Sequence, residues 1–215
     1  MEAKHMFKPW DSQYRVKALL DETGKYRYQF TCQWGESGRF VTFVMLNPSQ
    51  GNQVQDDKTL QRCISFAKSW GYDGIKVVNL FAFISTDPDN LKHQEDPIGP
   101  ENDRHIRDAI QGSALVVAAW GQTLRTPFAK RRIQAMLELL KDIEMHCLKV
   151  TKCGCYPMHP LYLSSKLTPI PFVPPNHQNV IKVPKRTVPQ ATGSREAMFS
   201  NGSDIGFFDD SDWEV

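Results

Sequence analysis

V-T-F-V-M-L-N-P-S-Q-G-N-Q-V-Q-D-D, residues 41–57, joins a buried strand to a polar turn. Residues 41–46 are β-branched or apolar without a polar alternation beyond Thr42, the signature of a strand covered on both faces. The run stops at Asn47-Pro48-Ser49. Proline removes a ladder donor and holds the preceding residue extended, so Asn47 sits at the carboxyl end of a central strand. In open α/β sheets ligands bind in the crevice outside those ends. Asn47, Ser49, Asp56 and Asp57 are therefore the first candidates for chemistry.

Working back from this strand, residues 15–21 and 26–34 flank the turn signal Glu22-Thr23-Gly24-Lys25 and read as a β-hairpin. Tyr26, Tyr28, Phe30 and Trp34 share one face by period two, as core packing requires. Working forward, Asp57 is placed to cap a helix over 59–70, whose Leu60, Cys63, Ile64 and Ala67 form one apolar stripe that Gly71 ends. A second strand follows over 75–81. Residues 84–100 then read as a long Asp-, Asn- and Pro-rich loop. Pro100 opens a helix through Ile106, Ala109 and Ile110. A third strand covers 114–120 and stops at Gly121. Thr126-Pro127 starts a helix with Ile133, Met136, Leu137 and Leu140 on one face, and 145–150 is a fourth strand.

This alternation predicts parallel pairing with right-handed crossovers. The expected fold is three-layer α/β/α with a central, mainly parallel four-stranded sheet and the hairpin at an edge. The domain plan is a lead and hairpin over 1–36, a core over 37–168, and a Pro-rich linker with an acidic tail over 169–215.

The chain has 215 residues, 40% hydrophobic and 23% charged, with a net charge of +2, so composition neither announces nor excludes a nucleic-acid partner. Lys130-Arg131-Arg132 is a basic cluster, while the last twelve residues carry Asp204, Asp209, Asp210, Asp212 and Glu214. No apolar run approaches the ~20 residues needed to span a bilayer, and residues 1–10 lack a signal-peptide core. The expected location is the cytoplasm, with no membrane partner. The five cysteines fit reduced thiols. Cys147, Cys153 and Cys155 lie near His146 and His159, but a lone C-x-C lacks the paired spacing of a zinc site. The motifs therefore call for no metal or other cofactor.

Asn47 ends the first strand, Asn79 lies near the end of the second, Trp120-Gly121 ends the third and His159 follows the fourth, and a parallel sheet brings all four to one rim. An Asn amide offers both donors and an acceptor to a heterocycle edge, and a histidine can stabilise charge on a leaving group.

The ordered motifs L-N-P-S, D-D-x-T, R-C-x-x-F-A-x-x-W-G-Y, V-N-L-F-A-F, D-P-I-G-P-E-N-D, A-W-G and H-P-L-Y-L resemble a bacterial and phage family catalogued as domain of unknown function 1643. Their order is also similar, more distantly, to the uracil-DNA glycosylase superfamily. That resemblance implies that Asn47 orients water, that Asn79 reads the base, and that His159 of His159-Pro160 faces the base carbonyl. It implies base flipping and hydrolysis of an N-glycosidic bond, with DNA or a nucleotide as partner. Asp57 is a candidate base as well as a cap. Ser49, Asp56, Phe81, Trp120, Gly121 and Tyr162 are candidate substrate contacts. The chain departs from the superfamily by lacking its acidic first motif and by carrying Leu161-Tyr162-Leu163 where Ser-Pro would stand. A second reading is a non-catalytic module that binds a nucleic acid or modified nucleotide, with the acidic tail recruiting a protein partner. A third makes Asp56 and Asp57 metal ligands.

Overall fold

A computed structural model describes residues 10–49, 57–123 and 126–174. Seven strands form one mixed sheet: β1 (Arg15–Leu20), β2 (Arg27–Gln33), β3 (Phe40–Met45), β4 (Gly74–Asn79), β5 (Leu115–Ala118), β6 (Met145–Cys147) and β7 (Ile170–Pro171). Their spatial order is β1-β2-β4-β3-β5-β6-β7. β4, β3, β5 and β6 pair in parallel. β1 and β2 add antiparallel on one side, and β7 adds antiparallel on the other. The sheet is thus wider than the four strands read from the sequence, because both edges are extended.

The crossover helices explain the parallel centre. Helix α1 (Lys58–Ser69) opens on Asp57, whose side chain accepts the Leu60 N–H, and buries Leu60, Cys63, Ile64 and Ala67. It ends in a paired motif: Gly71, at φ 79°, donates to the Lys68 carbonyl while Tyr72 donates to that of Ala67. Helix α3 (Pro127–Leu139) is capped by Thr126 with proline in its first turn. Helix α2 (Asn102–Ile110) begins two residues later than the Pro100 start expected from the sequence.

Alternate strand residues divide the core. Phe43, Val77 and Val117 pack with α1, while Val44, Val78 and Val116 pack with residues of α2 and α3. The segment 84–100 is not loose. It holds a 3₁₀ helix (Pro88–His93), and Leu91 within it is fully buried.

Two readings need correction. Arg132 does not extend a basic surface: it is buried, donates to the Leu80 carbonyl at 2.6 Å and pairs with Asp103 at 2.5 Å. Lys130 and Arg131 alone stay exposed. The segment after 168, read as linker, contributes β7 and the buried Phe172, whose ring meets Trp120 edge-on at 5.7 Å. Composition hid this because a proline in a strand supplies no N–H, and here Phe172 supplies it instead, to the Met145 carbonyl at 2.8 Å.

Candidate functional site

β3 and β4 run parallel in register, Met45 beside Asn79, so both chains leave the sheet at the same rim. Beyond them β5 ends at Ala118, and Trp120-Gly121 turns out alongside the segment after β6. Gly121, at φ 72°, donates to the Pro157 carbonyl at 3.0 Å, which ties the two exits together. A cavity of about 460 Å³ opens at this rim. Asn47, Ser49, Asp57, Asn79, Trp120, Gly121, His159 and Tyr162 all line it.

The side chains differ in how firmly they are held. Asn47 donates its amide to the Ser85 carbonyl at 2.7 Å and to the Pro48 carbonyl at 3.2 Å. Two carbonyl acceptors fix which end of the amide is nitrogen and leave Oδ1 as a fixed acceptor. Asp57 accepts the Leu60 N–H with one oxygen and the Ser49 hydroxyl with the other, each at 2.7 Å. Its cap role is therefore real, and it is also the carboxylate on the cavity wall.

Asn79 is 2% exposed, and its Nδ2 has no hydrogen-bond partner. A buried amide N–H is costly to leave unpaired, so this donor fits a ligand acceptor. The backbone behind it is braced by Asn102, which donates to the carbonyls of Asn79 (3.0 Å) and Leu80 (3.2 Å).

His159 caps the 3₁₀ helix Pro160–Tyr162, its Nδ1 accepting the Leu161 N–H at 3.3 Å. The neutral ring then carries its proton on Nε2 and is a donor there. Burial holds its pKa below the ordinary 6.5, with Asp57 pulling the other way, so the ring is neutral at pH 7. α1 anchors the segment that follows: Arg62 donates to the Leu163 carbonyl, and the Trp70 indole donates to that of Leu167 at 3.0 Å.

Phe81 does not belong to the cavity wall. It is fully buried and stacks on Phe128 at 4.9 Å. β4 ends at Asn79, and the Phe81 N–H turns back to the Leu46 carbonyl, so strand alternation no longer predicts where its ring goes. Of Leu161-Tyr162-Leu163, Leu163 packs in the core, Leu161 lines the cavity, and Tyr162 stands 87% exposed at its mouth. Asp56 lies outside the described residues. Cys147 is a buried core residue of β6, while Cys153 and Cys155 share a turn in which hydrogen bonds with Cys155 and Thr151 bring the pKa of the Cys153 thiol down to about 7.

Sequence reasoning missed Arg27. It lines the cavity, is 3% exposed, and its Nε and Nη1 have no partner. The 3₁₀-bearing segment also contributes Ser85, Thr86 and Pro88.

The model of a family described as Protein of unknown function (DUF1643) matches residues 27–161, more than half of the chain. This protein belongs to that family. Within it the matched segment opens on Arg27 and ends on Leu161, two residues of the cavity wall. No curated protein and no solved structure matches the chain. In this DUF1643 member the cavity itself carries the functional information.

Proposed function

We propose that the cavity recognises a nucleobase and that the protein hydrolyses the N-glycosidic bond of a base in DNA or in a nucleotide, on a uracil-DNA-glycosylase-like architecture. The observation that carries this reading is the convergence of Asn47, Asn79 and His159, from three separate strand exits, on one cavity large enough for a base and its sugar.

Each group has a task suited to its surroundings. The unpartnered Asn79 Nδ2 donates to an acceptor on the base edge. The fixed Oδ1 of Asn47 accepts a hydrogen bond from the attacking water and aims it at the anomeric carbon. Asp57 takes the proton that this water loses. The C–N bond breaks towards the base, which departs carrying the electron pair, and the Nε2–H of neutral His159 donates to its oxygen. A cation-like sugar needs little push from the nucleophile, so stabilising the leaving base is where catalysis is gained.

The test is base release. Single- and double-stranded DNA carrying uracil or modified pyrimidines, and a nucleotide mixture, are incubated with the protein, and free bases are followed by mass spectrometry. Release that falls by about 10²-fold or more in Asn47→Ala and His159→Ala supports the reading. Ligand retention without any product, unchanged by Asn47→Ala, replaces it with a non-catalytic binding module.

A further inference from the structure

The cavity wall holds a charge that no hydrogen-bonded or ion-paired group among the described residues answers. Arg27 is almost wholly buried, and its Nε and Nη1 have no hydrogen-bond partner. Among the described residues no carboxylate reaches it at ion-pair distance. Asp57 acts on it only through space, with both oxygens already engaged by Leu60 and Ser49. Burial brings the guanidinium down to about 10, so it remains a cation at neutral pH.

The fold places Arg27 there by a specific device. Along β1 and β2 the pairs run Leu19 with Gln29 and then Leu20 with Arg27, so Tyr28 is an extra residue in the ladder. Such a bulge re-aims the side chain beside it. Simple alternation would set Arg27 on the face opposite Phe30, yet its guanidinium lies 5.8 Å from the Phe30 ring centre, on the face that α1 covers. On the neighbouring strand is Asn79, with its own unpartnered donor. This part of the wall thus offers donors and positive charge.

A buried cation with no directly paired carboxylate is unfavourable in the free protein, and an incoming anion that hydrogen-bonds it lowers the penalty. We infer that the cavity takes a ligand bearing an anionic oxygen group, phosphate or carboxylate, seated on Arg27 beside the base edge held by Asn79. This deepens the nucleobase reading and rests on it for the ligand's other half. It narrows the substrate to a nucleotide or an acid-bearing pyrimidine, and away from a neutral nucleoside.

Calorimetric titration of the full chain tests this without any bond being broken, so its failure and that of the glycosidic reading are separate results. The probes are inorganic phosphate, the common nucleosides and their 5′-monophosphates, and uracil against orotate. In at least one pair the anionic member binds tenfold or more tighter than its neutral counterpart, and the pair concerned tells phosphate from carboxylate. Arg27→Met removes the difference and leaves the melting temperature of the unliganded protein unchanged or higher, while Arg27→Lys keeps part of the preference. Equal affinity within every pair, or no binding of any anionic probe at millimolar concentration, overturns the inference. So does an Arg27→Met protein that is destabilised or fails to fold, since Arg27 would then be structural.

Discussion

Gly121 lies so close to His159 that a β-carbon on the glycine would meet the histidine Cβ at 3.2 Å. The W-G turn therefore sets the position of the His-Pro segment across the cavity. Gly121→Ala adds both this contact and the cost of a left-handed backbone, about 1–2 kcal/mol. Gly24 has nearly the same φ, 71°, with nothing within 4 Å of its would-be Cβ. Denaturant unfolding should show both alanine variants destabilised, Gly121→Ala the more because it adds the contact with His159, while only Gly121→Ala lowers base release, by tenfold or more.

Asn102 is fully buried and holds two carbonyls at the end of β4. Its removal takes this side-chain donor from the Asn79 carbonyl and leaves the Leu80 carbonyl to Arg132. Asn102→Ala should cost about 1–3 kcal/mol in urea unfolding and should weaken ligand binding through Asn79, whose backbone it holds.

His159 gives stability a pH dependence. Its folded pKa lies below 6.5, with burial the leading cause, so the unfolded chain takes up the proton first on acidification. The stability from its neutral form is fully present above about pH 6.5 and is lost as pH falls from there towards the folded value. Melting temperature should drop over that window, and His159→Gln should flatten the drop. A residual slope is expected from His105, whose pKa is lowered by burial and by Arg104.

Phe172 closes the sheet edge against Trp120. Phe172→Ala should cost about 3–5 kcal/mol, as for other buried aromatic truncations. A chain ended at residue 168 should melt lower than one ended at 174, by differential scanning calorimetry.

Strand and helix periodicity made the order of the central elements readable, because their apolar residues repeat at the period their burial demands. Asn47 was legible because Pro48 ends its strand abruptly, and His159 because the next strand exit leads to it. Arg27 was not, since the bulge at Tyr28 reverses the face that alternation assigns. Phe81 failed for the related reason that β4 stops two residues earlier than its hydrophobic run. β7 was hidden by proline-rich composition, although its pairing needs only the backbone of a few residues. For Arg27 and Phe81 a local change in the backbone, invisible to side-chain pattern, decided the outcome.

The central claim is that Asn79 reads a base, and its side-chain amide can be watched directly. In amide-resolved NMR, with the Asn79 signal assigned by Asn79→Leu, bases, nucleosides and their monophosphates are titrated in turn. A saturable shift of the Asn79 Nδ2 protons, with binding lost in Asn79→Leu, is the result expected. An Asn79 signal that stays fixed while ligands bind, or binding that survives Asn79→Leu unchanged, would contradict the account.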